Sequence, residues 1–491
     1  MILPYFVLIP LFAAFLITLI AGKKDIWGIG IAIAAEVVSL VLAVYCFFAY
    51  QGDILVYVMG GWKLPYGICL VQDALTSFML IVVSMISLTS IIYSIQYIRL
   101  MESQWRYYTL FMLLVAGMSG VIATGDIFNL FVFLEIALLS AFALVAYGAR
   151  AEEFEAAFKY AILGGLSSTL LLVAIALLYS ATSTLTMAKI AQQIPFVPKT
   201  LLYWIGGLFI AGFGLKAAMI PFHAWLPDAH SSAPAPISAM LSGLLIKVLG
   251  IYAFIRVFFI VFGAPPIFIK ALLILGAASI IVGGVLSINQ WDMKRLLAYS
   301  SISQIGYILL GVGLANPMGI LGAVYHVFNH AIFKSLLFYD AGAVEITVGT
   351  RDIRKMGNLT RMLPVTSFTS MIGSLSISGI PPFNGFFSKL IIIIAAIQAG
   401  SAGYAVIAII GSLLTLAAML KMQRYGFRGL SVKDKPLVLI GWPMKTVMLG
   451  LAVLCLLTSL LVVPGIREIT LDPVVAAITD QARYIQTVMG R

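Results

Sequence analysis

Long apolar stretches recur along almost the whole chain and alternate with short polar connections. An α-helix needs about 17–25 mostly apolar residues to cross a bilayer. The pattern predicts about fourteen such helices, numbered in chain order, at 2–20, 26–50, 72–95, 107–124, 126–147, 155–180, 200–222, 234–260, 266–288, 294–314, 317–342, 364–398, 402–421 and 442–463. The predicted fold class is therefore an all-α polytopic membrane protein, with no strands and no soluble domain.

Two pairs of short strings suggest an internal repeat. "AAFKYAIL" at 156–163 matches "AIFKSLLF" at 331–338, and "AMIPFHAW" at 218–225 matches "SGIPPFNGF" at 378–386. Each match is offset by five helices, an odd number of crossings, so the two copies would have opposite orientations. We predict inverted repeats of helices 4–8 and 9–13. The chain would then divide into residues 1–100 (helices 1–3), 101–262 and 263–421 (the repeats), and 422–491 (helix 14 and a tail).

Both repeats carry proline inside an apolar helix. Pro221 interrupts helix 7, and Pro381 with Pro382 interrupts helix 12. Proline removes a backbone donor, and irregular backbone at membrane depth is tolerated only where protein or a water-filled cavity satisfies it. We therefore predict that helices 7 and 12 are broken beside hydrated interiors; a simple proline kink in a packed helix is the alternative.

The charge of the chain indicates topology. The sequence is 62% hydrophobic and 10% charged, with a net charge of +11. Its basic residues concentrate in odd-numbered loops such as "GKKD", "WDMKR", "GTRDIRKMGNLTR" and "KMQRYGFRGLSVKDK". This asymmetry follows the positive-inside rule and argues against nucleic-acid binding. We expect a multi-pass protein of the cell membrane, with both termini outside the cytoplasm and helix 1 retained, not cleaved as a signal peptide.

Ionisable residues inside the apolar windows are the candidate functional groups. They are Glu135, Lys216, Lys247, His330, Lys334 and Lys389, with His326 on the same helix as His330. Each charge at the centre of a membrane helix costs about 2.5–3.5 kcal/mol, so the set points to function. Snorkelling near a helix end or a buried ion pair that fixes packing is the alternative for any one of them.

The spacing in "YHVFNHAIFKSLLF" at 325–338 sets three of these groups in a row. His326, His330 and Lys334 are four residues apart, so they share one helical face. Burial favours a neutral amine, a nearby carboxylate favours the ammonium, and imidazoles titrate near neutral pH. We interpret the stripe as a proton relay that faces protein and water, with lipid on the opposite side of the helix. For His326 alone, a packing role stays open.

Other acidic residues are assigned less specific roles. Glu36, in helix 2, is left open between a contact with another subunit and a part in conduction. We expect four further carboxylates to lie near helix ends or in loops and to be structural: Asp126, Asp228, Asp340 and Glu345.

The residues favour no cofactor and no metal. Cys46, Cys69 and Cys455 lie far apart without a CxxC motif, which argues against an iron–sulfur or zinc site built from this chain. The histidine spacing lacks the glutamate of H-E-x-x-H, and no glycine-rich phosphate loop follows a strand.

Several strings resemble one family. "KAAMIPFHAWLPDAHSSAPAPISAMLSGLLIKVLGIY", "WDMKRLLAYSSISQIGY", "HAIFKSLLF", "GTRDIRKMGNL" and "SGIPPFNGFFSK" resemble the antiporter-like subunits shared by Mrp sodium/proton antiporters, respiratory complex I and membrane-bound energy-converting hydrogenases. The likeness covers roughly residues 70–420 and implies fourteen helices with inverted five-helix repeats. The length of the tail is most similar to the D-type Mrp subunit and its counterparts in related hydrogenase or sulfane-reductase complexes.

The resemblance also implies roles for individual residues. Glu135 and Lys216 correspond to the pair thought to gate proton movement, Lys247 to the middle of the polar axis, His330 to the link between halves, and Lys389 to the exit-side ion. Lys334 and His326 are less uniformly assigned, and Asp340 departs from the small or apolar residue expected there.

We therefore predict a proton-translocating subunit of a multi-subunit complex, with other membrane subunits as partners and no redox centre of its own. A stand-alone Na⁺/H⁺ antiporter and a quinone-binding redox subunit are the alternatives. Whether the complex is an enzyme, and whether sodium is carried, stays open at this point.

Overall fold

The computed structural model describes residues 2–20, 25–101, 103–429 and 438–490. In this part of the chain the long helices are α1 (Tyr5–Ile20), α2 (Asp25–Ala49), α3 (Ala74–Tyr97), α4 (Gln104–Ala123), α5 (Ile127–Val145), α6 (Ala151–Thr182), α7a (Lys199–Ala217), α7b (Trp225–Ser232), α8 (Ala235–Val261), α9 (Pro266–Ile288), α10 (Met293–Gly313), α11 (Pro317–Val348), α12a (Pro364–Ser378), α12b (Asn384–Gln398), α13 (Ala402–Phe427) and α14 (Trp442–Val462). Shorter helices span Met187–Gln193, Leu359–Met362, Ile466–Thr470, Asp472–Thr479 and Gln481–Met489.

The predicted fold class is confirmed. Within the described ranges, 11 helices are long and apolar enough to cross a membrane, and Tyr5–Ile20 and Asn384–Gln398 are shorter apolar helices. The helix at 317–348 is not among the eleven. The total of fourteen stays a prediction, as does the division of the chain at residues 100, 262 and 421. The basic segments 22–24 and 430–435, used above for topology, lie outside the described residues.

The prediction that no strands occur is wrong in one place. Strands β1 (Leu55–Val58) and β2 (Cys69–Gln72) form an antiparallel hairpin between α2 and α3, with Leu55 opposite Gln72 and Val58 opposite Cys69. The apolar pattern leaves residues 51–71 as a connection between predicted helices 2 and 3. A strand pair satisfies its own backbone groups, so it can form in such a connection.

Acidic and amide side chains fix where several helices begin. Asp73 accepts a hydrogen bond from Thr76 N at the start of α3, and Asp126 accepts from Phe128 N and Asn129 N at the start of α5. Such caps satisfy backbone donors that have no partner within the helix. Asp126 therefore has the helix-end, structural role that its sequence position predicts.

Both predicted breaks occur, and their local geometry is the same. After α7a, Ala218 adopts a left-handed conformation, and Met219 N donates to Gly214 O at 3.1 Å. After α12a, Gly379 is left-handed in the same way, and Ile380 N donates to Leu375 O at 3.1 Å. These are helix-ending motifs that use up the last carbonyls, so each break is a true end of one helix and not a kink.

A second pair of contacts relates the two halves of the chain. The loop before α5 pairs with the segment after α6, through Met187 N to Gly125 O at 2.9 Å. The loop before α10 pairs with the segment after α11 in the same manner, through Ile353 N to Trp291 O at 2.9 Å. The equivalent helices are five apart, as an inverted repeat requires; the inverted orientation itself stays a prediction.

Close helix contacts depend on small residues. In the packing of α9 against α10, a Cβ at Gly283 would lie 2.6 Å from Ser303 N, and one at Gly306 would lie 2.6 Å from Gly276 O. Backbones this close leave no room for a side chain, and small residues at helix interfaces are how membrane helices approach each other.

The interior of the bundle holds α8, α10 and α11, which are buried at nearly every position. The large exposed apolar side chains belong mainly to outer helices such as α1, α2, α6 and α13. The expectation that lipid lies on the far side of the histidine stripe is therefore wrong, because α11 is enclosed by protein on all sides. On a central helix, the surrounding protein accommodates the polar stripe, and no side of the helix has to face lipid.

Candidate functional site: a buried row of amines and imidazoles

Glu135 and Lys216 approach each other with Ser168 between them. Lys216 Nζ lies 3.8 Å from Glu135 Oε1 and donates to Ser168 Oγ at 3.1 Å. The Ser168 hydroxyl in turn donates to Glu135 Oε1. The Lys216 side chain is 1% exposed and that of Glu135 is 33% exposed. The three groups come from α7a, α6 and α5, so a shift of any of these helices would separate the charges.

The break in helix 7 places Lys216 at the end of α7a. The carbonyl of Leu215, in the last turn of α7a, accepts hydrogen bonds from Ala218 N at 3.2 Å and from Trp225 Nε1 at 2.7 Å. Ile220 N donates to Ser279 Oγ at 3.0 Å. Backbone groups that the helix cannot pair are thus satisfied by side chains, as a membrane interior demands.

The break in helix 12 uses the lysine itself for the same purpose. Lys389 Nζ donates to Ile377 O, in the last turn of α12a, at 2.7 Å. It also lies 4.5 Å from the centre of the Tyr307 ring, a distance at which the ring attracts the ammonium. Lys389 is 2% exposed. Its position is therefore inside the protein, and snorkelling towards a membrane surface is excluded for this conformation.

Lys247 lies in the middle of α8, where residues 241–252 form wider π-helical turns. Its ammonium donates to the carbonyl of Ser242 on the preceding turn, and the Ser242 hydroxyl lies 2.7 Å from Ser301 Oγ of α10. Departures from regular α-helix are frequent at functional sites. The serine pair extends polar groups from Lys247 towards α10.

The stripe on α11 is completely buried. His326 Nδ1 lies 2.9 Å from Ser388 Oγ, and Lys334 Nζ donates to Ser300 Oγ at 2.5 Å. Neither ring nitrogen of His330 has a hydrogen-bond partner among the described residues, and its ring centre lies 6.2 Å from that of His326. A buried imidazole needs a polar partner such as water, because an unpaired buried polar atom is costly.

His330 is near enough to Lys247, Lys334, His326 and Lys389 to interact with them electrostatically. The structure thus brings the groups from α8, α11 and α12b together, with the pair of Glu135 and Lys216 on the α5–α7a side. All seven sequence-predicted site residues lie within the helical bundle.

Two functional candidates escaped the sequence reasoning. Ser168 looked like one hydroxyl among many in α6, and nothing in the sequence shows that it lies between Glu135 and Lys216. His230 lies in α7b, a short helix between prolines and outside the apolar windows. It is fully buried, neither ring nitrogen has a partner among the described residues, and the charges of Lys247 and Lys334 act on it.

A polar vestibule lies at one end of the bundle, and Ser232, two residues after His230, lies in its wall. Two adjoining cavities of about 400 and 500 Å³ share Ser232 and Arg351 in their walls. Lys294 Nζ lies 2.7 Å from Glu345 Oε2 in the first cavity, and Arg351 Nε lies 3.1 Å from Asp292 Oδ2 between them. These volumes are large enough for many water molecules.

Two carboxyl groups lie apart from this row. Glu36 in α2 is fully buried, and neither of its oxygens has a partner in the described ranges. Asp340 was expected near a helix end, and this is wrong, because it lies within α11 and is fully buried. Thr369 Oγ1 donates to Asp340 Oδ1 at 2.7 Å. The Thr369 hydroxyl on α12a is thus one polar partner of this buried aspartate.

No site for a metal emerges from the residues described. Among them, no group of three or more His, Cys, Asp or Glu could hold a metal ion. The three cysteines are buried and free.

The chain matches known families and relatives over most of its length. A family model described as NADH:quinone oxidoreductase/Mrp antiporter, TM, matches residues 124–415. A second, described as NADH-Ubiquinone oxidoreductase (complex I), chain 5 N-terminus, matches residues 59–108. The D-type subunit of the Na(+)/H(+) antiporter of Alkalihalophilus pseudofirmus is 36% identical over 86% of both chains. The N-type subunit of the NADH-quinone oxidoreductase of Desulforudis audaxviator is 36% identical over 83% of both.

Solved structures show the same fold. A chain of the Mrp complex from a Dietzia species superposes with a TM-score of 0.92 at 28% identity, covering 100% of this chain and 99% of that one. A chain of the archaeal membrane-bound sulfane sulfur reductase, described as a respiratory membrane complex, gives 0.90 at 30% identity and covers 99% of both. The resemblance seen in the sequence is thereby confirmed, and this chain belongs to the family of antiporter-like membrane subunits of Mrp antiporters and complex I.

Proposed function

We propose that this protein is a proton-translocating subunit of a multi-subunit membrane complex, in which Glu135, Lys216, Lys247, His330 and Lys389 carry the proton. The observation that supports the proposal most is the enclosed row of amines and imidazoles, in which His330 has no fixed partner among the described residues. Its relatives are named as subunits of antiporters and quinone oxidoreductases, and its structural neighbours belong to complexes.

The proposed mechanism begins at the ion pair. When Lys216 contacts Glu135 through Ser168, the carboxylate stabilises the Lys216 ammonium and holds its charge away from Lys247. When the pair opens, that positive charge moves towards Lys247 and favours loss of the Lys247 proton, because like charges disfavour the charged form. The proton then passes to His330 and from there to Lys389. The neutral imidazole suits this role because it can accept at one nitrogen and donate at the other.

His326 and Lys334 flank this route. His326 lies beside Ser388 on α12b, and Lys334 beside Ser300 on α10, so each holds the row against a neighbouring helix. His230 would supply protons from the vestibule. The positive-inside rule supports placing both termini outside the cytoplasm, because the basic loops cluster on one side.

The test is transport by the complex that co-purifies with the full chain. Reconstituted in vesicles with a pH-sensitive dye, the complex carrying Lys247→Met should lose proton transport, whereas Lys270→Met, at an exposed position of α9, should retain it. Transport by Lys247→Met at the unaltered rate would overturn the proposed route. The alternative of a stand-alone antiporter is tested by reconstituting the isolated chain in the same kind of vesicle. That alternative requires the isolated chain to move ions without partners.

A further inference from the structure

Basic side chains converge on an aromatic pair just beyond the end of α9. The ring centres of Trp291 and Tyr425 lie 5.5 Å apart, edge to face. Lys421 Nζ lies 3.7 Å and Arg354 Cζ 5.4 Å from the centre of the Trp291 ring, and Arg424 Cζ lies 5.5 Å from that of Tyr425. We call these five residues the basic–aromatic cluster. Three cations thus share one small surface.

The charge of this cluster is not balanced by the described part of the chain. Arg354 pairs with Asp352 at 2.8 Å. Lys421 Nζ instead donates to the carbonyls of Ile288 and Gln290 at 2.7 and 2.8 Å, which uses two of its three protons. Lys421 and Arg424 form no salt bridge with any described carboxylate. Like charges this close repel unless an anion joins them.

The surface next to the cluster is apolar. Five large apolar side chains of α13, all on the N-terminal side of Lys421, are exposed to about half of their area. They are Val406 (54%), Ile409 (47%), Ile410 (43%), Leu413 (60%) and Leu420 (54%). Their spacing places them along one side of the helix. The cluster thus stands at the end of an exposed apolar helix face, with the aromatic residues that membrane proteins concentrate at the headgroup level.

We propose that the basic–aromatic cluster binds the phosphate of an anionic phospholipid, whose acyl chains lie along the exposed face of α13. The phosphate supplies the missing negative charge, and arginine and lysine are its usual ligands. The acyl chains cover the apolar side chains of α13. A free phosphate ion would supply the negative charge but would leave the apolar side chains of α13 uncovered. The combination of a basic and an apolar surface therefore favours a lipid.

The cluster has a structural consequence for its loop. Lys421 holds the carbonyls at the C-terminal end of α9, directly before Trp291, and Trp291 O accepts from Ile353 N at 2.9 Å. A bound phosphate would lower the repulsion between Lys421 and Arg354 and so keep both connections in place. The lipid is therefore expected to stabilise this end of the bundle.

The experiment measures lipid binding by native mass spectrometry. The complex that co-purifies with the full chain is delipidated and titrated with phosphatidylglycerol or with phosphatidylcholine of the same acyl chains. Removing one basic side chain should weaken phosphatidylglycerol binding about fivefold, since each charge contributes on the order of 1 kcal/mol near an anionic lipid. Arg424→Gln and Lys421→Gln are the test variants, and Lys199→Gln, at the exposed start of α7a, is the control.

Arg424→Gln carries the test if Lys421→Gln fails to fold, because the Arg424 side chain is exposed. Equal binding of the two lipids by the unaltered complex would overturn the proposal, as would equal loss in Arg424→Gln and Lys199→Gln. Loss of a co-purifying subunit in Arg424→Gln, with lipid binding unchanged, would assign the surface to a protein partner and also overturn it. None of these outcomes depends on proton transport, so the proposed function is tested separately.

Discussion

The ion pair of Glu135 and Lys216 makes the sharpest prediction, because its energy follows from its geometry. At 3.8 Å the attraction between unit charges is about 4 kcal/mol at an effective dielectric constant near 20 and about 1 kcal/mol in water. Glu135 is one-third exposed, so the value lies between these limits. If the pair gates transport, removing it should slow the rate by about fivefold to several hundredfold, since about 1.4 kcal/mol corresponds to a factor of ten.

A double-mutant cycle separates this mechanism from two independent effects. Proton transport is measured in vesicles for Glu135→Gln, Lys216→Met and the double variant. Because each residue acts through the other, the double variant should be no slower than the slower single variant, with a coupling energy of about 1–4 kcal/mol. Additive losses, with coupling below about 0.5 kcal/mol, would refute the reasoning. Co-purification of the partner subunits with each variant is the control for folding.

Three further outcomes are expected. Ser168→Ala should lower proton transport about tenfold, the effect of losing one interaction of about 1.4 kcal/mol. Thr169→Ala is the control and should leave transport unchanged, because in the described contacts the Thr169 hydroxyl bonds only to Gly165 O of its own helix. Equal rates for the two variants would contradict the bridging role of Ser168. Arg256→Leu leaves Asp73 buried without the arginine that now binds it at 2.6 Å, so the free energy of unfolding should fall by about 3–5 kcal/mol. The measurement is the melting temperature of the complex, and an unchanged temperature would contradict this prediction. His230→Gln should slow proton uptake without changing assembly, and a transport rate equal to that of the unaltered complex would remove this histidine from the route.

The buried row explains why so many ionisable groups are tolerated in a chain that is 62% hydrophobic. Each of them has a hydroxyl, a carbonyl, an aromatic ring or a second ionisable group as its neighbour, and lipid contacts none of the lysines in the row. The cost of burying a charge is lowered by such partners and by the freedom of an amine or imidazole to become neutral. The same property is what the proposed proton relay requires of these groups.

Much of the candidate site could be predicted from the sequence because charged residues have a high free-energy cost inside a membrane. Lysine, glutamate and histidine inside apolar windows stand out whatever the packing. Ser168 did not stand out, because a serine in a membrane helix usually bonds to its own backbone and has little cost. Asp340 was misplaced for a related reason. The sequence alone does not show which helix is central, and the contact of Thr369 with Asp340 joins residues that are 29 positions apart.

The helices, the two breaks and the spacing of the stripe on α11 could be predicted from short stretches of sequence. Each of these depends on neighbours within a few residues: apolar length, a proline or glycine that ends a helix, and the period of the α-helix. Three other features depend on the packing of distant segments: the interior position of α11, the contact of Lys216 with Glu135 through Ser168, and the basic residues from separate segments around Trp291. Those contacts join residues far apart in the chain, and their energies depend on distance and burial, which a linear pattern does not contain.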